Sequence, residues 1–250
     1  MIQCNPYQTL ALRERFEPEK LSWFVGTHLI NTGNGACFVD RWPNPRAVLV
    51  DVAGNYSLSG DPDALKPYDL QDRIIGFIDA PKKFYPLLKE TFSDVITWDR
   101  VIYQMDERPN LNLDHEVHKL GESHKHCLWG LTPESNWISK TWGGPSGLVS
   151  SGYAWGAFVD SQLVSVACTF FLGNQYEEIG VVTESEYRGR GFAAACAAKL
   201  SKEIQFRRHI PTWSTSTDNE ASIRVAEKLG FKFKSKGMLY VVGIEIPRVP

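Results

Sequence analysis

The alternation of apolar and polar positions breaks the chain into helix and strand signals. Thr9 to Ile30 contains ALRERF and KLSWFVGTHLI, which read as helical, with Pro18 at a break or a second helix start. Ala36–Asp40 and Ala47–Val52 are β-rich runs joined by RWPNP, whose prolines and asparagine suit a loop. Asp51 to Tyr56 suggests a strand running into a turn. Arg73–Asp79 reads as a buried strand, Phe84–Phe92 as a short helix and Val95–Met105 as a further strand. That is a βαβ-like unit with no glycine-rich phosphate loop between strand and helix.

The pattern restarts after a polar, proline-containing stretch, which places a domain boundary near residues 106–114 and divides 1–110 from 113–250. Glu116–Leu120 then reads as a strand, followed by a looser helical region holding Trp129, Trp137 and Trp142. Tyr153–Val159 and Leu163–Leu172 predict a hairpin about Asp160-Ser-Gln, and Tyr176–Val182 predicts another strand. Phe192–Arg208 is an expected helix, Thr212–Ser216 a strand, Glu220–Leu229 a helix closed by Gly230, and Met238–Ile244 a final strand. The expected fold class is α/β (α+β), with the N-terminal half a smaller α/β domain that reads as a degenerate copy of the second.

Composition narrows the classes. The 250 residues are 43% hydrophobic and 22% charged, which is ordinary for a globular chain and unlike a disordered or fibrous one. Basic residues number 27 against 29 acidic, a net charge of -2, which weakens any case for bulk binding to nucleic acid or anionic lipid. Five scattered cysteines without a C-x-x-C pair fit a reducing compartment. The N-terminus lacks a basic-then-apolar signal, and Thr141–Val159 is too rich in Gly, Ser and Pro for a membrane span. A cytoplasmic, non-membrane protein is expected.

Candidate chemistry concentrates in Glu178-Ile-Gly-Val-Val-Thr-Glu-Ser-Glu-Tyr-Arg-Gly-Arg-Gly-Phe-Ala-Ala-Ala-Cys-Ala-Ala-Lys. A strand enters a loop bearing Arg188-Gly189-Arg190-Gly191, and an alanine-rich helix follows at once. Glycines let backbone N–H groups converge, the helix start adds partial positive charge, and two arginines stand beside it. These features make an anion cradle suited to a diphosphate. The run also matches a relaxed dinucleotide fingerprint, Gly189-x-Gly191-x-x-Ala194. That fingerprint wants its first glycine at the strand end and an acid after the next strand, where the chain offers Thr183–Arg188 and Thr212-Trp-Ser-Thr-Ser. A purely structural glycine-rich turn is the third reading.

Arg188-x-x-Gly191-x-Ala193 resembles the R/Q-x-x-G-x-G/A motif of the GNAT acetyltransferase superfamily, which binds the pyrophosphate of acetyl-CoA. Asn219-Glu-Ala-Ser-Ile-Arg-Val-Ala-Glu-Lys-Leu-Gly-Phe231 is similar to that family's second signature. The likeness covers roughly residues 115–250, and a GNAT domain behind such an N-terminal half looks like the zwittermicin A resistance-type subgroup. It implies a mixed, splayed central sheet flanked by helices, with the pantetheine arm in the splay.

By the same resemblance, Val181, Val182 and Thr183 would bond the arm, and Arg188, Gly189, Arg190, Gly191, Phe192 and Ala193 would hold the phosphates. Asn219 would point to the arm or serve as a plain helix cap, and Ser222 would lie beside it. Glu177 or Glu178 would be the general base, or either is an ordinary strand-start carboxylate. Ala226 stands where many relatives carry a tyrosine acid, which leaves Ser222, Tyr240 or water to protonate the thiolate.

His115, His118, His124 and His126 invite a metal reading, yet HEVH is not the H-E-x-x-H pattern and nothing completes a tetrahedral set. No metal is expected. One of these histidines could be a substrate-pocket acid or base. Trp129, Trp137, Trp142 and Trp155 read as core or pocket wall, and they fall where the family's acceptor helices lie.

The reading these residues support is transfer of an acetyl group from acetyl-CoA to a primary amine of a small molecule in a ternary complex. A non-catalytic coenzyme-binding module and an aminoacyl-tRNA-dependent transferase are the alternatives. The role of the N-terminal half stays open between covering the site, binding substrate and building a homodimer.

Overall fold

The computed structural model describes residues 1–17, 19, 21, 24–107, 109 and 115–247. The chain forms two compact units, each discontinuous in sequence. The first comprises Met1–Arg100, Ser216–Asp218 and Lys236–Pro250, the second Val101–Thr215 and Asn219–Ser235. The division differs from a cut at 106–114, a stretch of which residues 108 and 110–114 lie outside the described residues. The chain passes from one unit to the next within a strand rather than through a polar linker, and a C-terminal strand returns to the first unit.

In chain order the first unit holds β1 (Ile2–Gln3), α1 (Pro6–Ala11), α2 (Val25–Thr32), β2 (Ala36–Val39), β3 (Ala47–Val52) and β4 (Asn55–Gly60). It continues with α3 (Pro67–Leu70), β5 (Gly76–Asp79), α4 (Tyr85–Thr91) and the start of β6 (Ile96–Gln104). Asn5 and Gln8 close a capping box on α1, with Pro6 in its first turn. Gly33, at φ 73°, ends α2 in the left-handed region that glycine enters without penalty. The long helical expectation over 9–30 therefore resolves into two short helices around a 3-10 turn, and Pro18 lies outside the described residues.

The second unit adds β7 (Val117–Lys119), α5 (Lys125–Trp129), α6 (Pro145–Ser151), β8 (Ala154–Val159), β9 (Gln162–Leu172) and β10 (Tyr176–Thr183). It closes with α7 (Phe192–Phe206), β11 (Ile210–Ser216), α8 (Glu220–Leu229) and the beginning of β12 (Lys232–Val242). Between α5 and α6 a 3-10 helix spans Asn136–Trp142.

Both units repeat one topology. In the first, β2, β3 and β4 form an antiparallel meander, and β4 then pairs in parallel with β5. In the second, β8, β9 and β10 form the meander, and β10 pairs in parallel with β11. In the first unit the crossover begins Asp61-Pro62-Asp63, with Asp61 bonded to Arg46, and leads only to the four-residue α3. In the second it carries Arg188-Gly-Arg-Gly and the fifteen-residue α7. An acidic, proline-bearing turn does not suit an anion, and the two crossovers differ in this respect.

The period-two alternation of β10 feeds two cores in the second unit. Ile179 and Val181 pack with Cys196, Leu200, Trp213 and Phe231 under α7 and α8. Val182 packs on the other face with Ile138, Trp142 and Leu148. Burying side chains of this size stabilises by about 1.5–3 kcal/mol each, which holds β10 rigid between its layers.

Candidate active site

β10 stays zipped to β9 along its whole length, from Glu177↔Leu172 to Thr183↔Ser165. Its parallel ladder with β11 is far shorter: Tyr176↔Ile210, Glu177↔Pro211 and Glu178↔Thr212. Beyond Glu178 the two strands part. The Glu184 N–H bonds back to Val164 O at 2.9 Å, and Ser165 Oγ donates to Val182 O at 2.7 Å. Backbone groups alternate sides along a strand, so Val181 and Thr183 turn their N–H and C=O groups toward the side that β11 has left. That is a strand edge with no strand beside it over these residues, of the kind that can accept an extended ligand as an added strand.

Immediately beyond this edge lies the glycine turn. A 3-10 turn over Ser185–Tyr187 leads to Arg188, whose Nε donates to Thr183 O at 3.2 Å, leaving the rest of the exposed guanidinium free to face an anion. Gly189 and Gly191 lie at φ 74° and 88°. Nothing stands within 4 Å of a Cβ built on Gly189, whereas one on Gly191 would approach His115 Nε2 at 3.1 Å. The first helical bond of α7 runs from Ala195 N–H to Gly191 O at 3.0 Å. The amides of Phe192, Ala193 and Ala194 are thus the orphan donors of a long helix. Arg190 lies over the rings of Tyr187 and Phe192, each at 5.3 Å, and His115 packs on Phe192 at 4.5 Å.

The two strand-start carboxylates have different surroundings. Glu177 is wholly buried and accepts from Arg207 Nε at 2.9 Å and Nη2 at 2.7 Å. Thr169 Oγ1 donates to it at 2.5 Å, and His209 Nδ1 lies at 3.0 Å. Burial pushes its pKa up, but the bonds from His209, Arg207 and Thr169 and the Arg207 charge outweigh it. The carboxyl is held below its ordinary value. It anchors the end of α7 to the sheet. Glu178 points to the opposite face, half-buried, and accepts from Ser214 Oγ on β11. It belongs to the last pair before the strands part, which puts its carboxylate at the apex of the opening.

The site thus combines a gap between parallel strands, a glycine turn at a helix start beside it and a half-buried carboxylate where the gap opens. A family model for GNAT acetyltransferases matches residues 20–240. The chain belongs to the GNAT acetyltransferase family.

Among its relatives, an uncharacterized N-acetyltransferase in the mutA 5' region of Streptomyces virginiae is 36% identical over 214 residues, 84% of this chain and 90% of that one. A GNAT-like protein from Streptococcus suis shares the fold with a TM-score of 0.73 at 18% identity, over 95% of this chain and 99% of that one. A tandem GNAT protein from the clavulanic acid biosynthesis pathway matches 98% of this chain and 99% of its own, with a TM-score of 0.57 at 11% identity. A whole-chain match to a tandem protein agrees with the repeated topology of the two units.

In this acetyltransferase α8 starts at Asn219, whose Oδ1 accepts from Ser222 N–H at 3.0 Å, so the helix-cap geometry is what its side chain adopts. The Ser222 Oγ accepts from Trp213 Nε1 at 2.9 Å. One lone pair is thereby engaged and the hydroxyl hydrogen remains to donate elsewhere. Ala226 is fully buried in the core that holds Trp213, Leu229 and Phe231. Tyr240 belongs to the first unit, buried there and stacked on Tyr85 at 5.5 Å. Strand alternation at β12 turns it into that core.

The histidines disperse among other partners. His118 pairs with Glu116 at 2.9 Å, His124 Nδ1 accepts from Gly121 N–H at 3.1 Å, and His126 lies by Cys127 Sγ. Among the described residues no group of three His, Cys, Asp or Glu side chains is arranged for a metal. The proximity of His115 to Gly191 has no local signal in the sequence, because it joins residues some seventy-six positions apart. Trp142 is buried with its indole bonded to Thr169 O at 2.7 Å, Trp155 donates to Glu203, and Trp137 and Trp129 stay exposed.

Proposed function

We propose that this GNAT enzyme transfers the acetyl group of acetyl-CoA to a primary amine of a small molecule, both substrates being bound together. One observation carries the reading: the β10–β11 ladder stops at Glu178↔Thr212, beside a helix start whose amides have no intrahelical partner. The cradle fits a diphosphate in charge and in space, since Gly189 leaves its surroundings open and Arg188 reaches them. Val181, Val182 and Thr183 form the edge along which a pantetheine arm would lie, with Arg188 to Ala193 holding the phosphates.

Bound acetyl-CoA supplies the activated acyl carbon, whose C–S bond breaks as the new N–C bond forms. The protein's part is positional and protolytic. Glu178 holds the incoming ammonium at the apex and takes the proton that frees its lone pair. Glu177, committed to Arg207 and His209, fixes the strand on which Glu178 sits. Ser222, oriented by Trp213, passes a proton to the sulfur and is reprotonated by the second proton that nitrogen loses as the amide forms, while the first leaves Glu178 for solvent, so both protons of the ammonium are accounted for. The subgroup likeness to zwittermicin A resistance-type proteins rests on the two-unit build. A reducing, cytoplasmic setting suits five free cysteines, and no helix among the described residues is long and apolar enough to cross a membrane. A homodimer is part of the same reading.

The test is Glu178→Gln. Thiol release with an accepted amine should fall about 100-fold or more, while acetyl-CoA affinity in calorimetry stays within about twofold. Undiminished turnover would remove Glu178 from the chemistry. Steeply salt-dependent binding of charged tRNA would favour an aminoacyl-transfer reading instead.

A further inference from the structure

We infer that the acceptor subsite is built for an arylalkyl monoamine, its ring seated against Trp137 and Phe170 and its ammonium on Glu178. The inference rests on the acyl-transfer reading above and names the substrate class for that same site.

Strand alternation puts Glu178, Gly180 and Val182 on one face of β10, the face that packs with Ile138. Gly180 has no side chain, and the space is taken by neighbours. A Cβ built there would stand 3.0 Å from Phe170 Cβ and 3.2 Å from Ile138 Cδ1. Phe170 reaches that position because the β9–β10 register slips between Glu178↔Phe171 and Ile179↔Thr169, which leaves Phe170 as the extra, bulged residue. Bulges re-aim side chains, and this one tips a phenyl ring over the strand next to the apex.

Trp137 completes the wall. Its ring meets Phe170 edge-to-face at 5.2 Å and 78°. On the same 3-10 helix Ile138 is fully buried and Trp142 nearly so, and they carry the packing of that segment, while Trp137 keeps 36% of its surface exposed. A large exposed indole set edge-on to a half-buried phenyl ring presents an apolar surface beside the core that Phe170 helps to pack. From Gly180, under the ring, to Glu178 the strand rises about 6.5–7 Å, the span of an aromatic ring joined to nitrogen through a short carbon spacer. Charge complementarity sets the remaining feature. Of the residues β10 presents on this face, only Glu178 is acidic, which suits one ammonium and not a polycation. Arenes carrying a short aminoalkyl chain match both the wall and the anion; aminosugars match only the anion.

The experiment uses the full chain with acetyl-CoA and follows thiol release for phenethylamine, tryptamine, butylamine, a diamine and an aminosugar. Calorimetry with acetyl-CoA, and with phenethylamine on the CoA-loaded protein, runs on the same samples. The expected result is a kcat/KM for the arylalkylamines at least about tenfold above the others. Trp137→Ala should raise their KM about tenfold or more while kcat moves far less, as loss of an aromatic anchor does. Trp137→Phe should recover part of the affinity, and the exposed position lets both variants fold. Preference for butylamine or the aminosugar, or an unchanged KM in Trp137→Ala, would overturn the proposal while leaving acyl transfer intact. Absence of acetyl-CoA binding by the wild-type protein would remove the underlying reading, and the subsite with it.

Discussion

Replacing Gly191 by alanine tests the cradle at its narrowest point. The residue sits at φ 88°, where an L side chain costs about 1–2 kcal/mol. A new Cβ would also lie 3.1 Å from His115 Nε2, close enough to displace the ring from Phe192. Relaxing φ would turn the start of α7 and re-aim the amides of Phe192, Ala193 and Ala194. Hydrogen bonds to a charged group contribute about 1.5–3 kcal/mol each, so losing one of them weakens CoA binding roughly 10- to 150-fold. Gly189→Ala is the internal comparison: it carries similar strain at φ 74° but meets nothing within 4 Å and does not cap the helix. Calorimetric titration with CoA, beside circular dichroism to verify folding, reads the difference. A folded Gly191→Ala protein with wild-type affinity, or one no weaker than Gly189→Ala, would refute the assignment of these amides to the diphosphate.

Three further outcomes follow from the second unit. Arg207→Leu strips the wholly buried Glu177 of its two-pronged partner and should lower stability by about 3–5 kcal/mol in urea unfolding; adding Glu177→Gln should recover part of that loss. Because the folded protein depresses the Glu177 value, its contribution is complete above the unfolded carboxylate value of about 4.3 and is lost as pH falls through the folded value. Glu177→Gln should therefore flatten the acid limb of a stability-versus-pH curve, and an unaltered limb would contradict the assignment. Ala226→Tyr, which would restore the residue many relatives carry, should instead overpack a fully buried position and lower stability by about 1–3 kcal/mol, visible as a lower urea midpoint, without raising kcat.

Much of this protein was legible in the order of its residues. Most strand and helix positions from Ala36 onward follow from local alternation, although β4 was not expected and β12 starts at Lys232, six residues before the expected Met238; Gly230 and Asn219 mark the ends of α8 as capping chemistry requires. The glycine turn and the helix start after it were legible for the same reason: Arg188 to Ala193 are contiguous, so local structure assembles them without help from distant parts of the chain. What spacing alone left open was which of two adjacent carboxylates stays half-exposed and which is locked away. Their fates are set by Arg207 and His209, some thirty residues later, closing on Glu177, and by Ser214 meeting Glu178. The division of the chain within β6 and the return of β12, which carries Tyr240 into the first core, likewise depend on long-range strand pairing. Local propensity determines an element's type and approximate ends; a side chain's partner is decided only when the sheet closes and burial forces each polar group to find one.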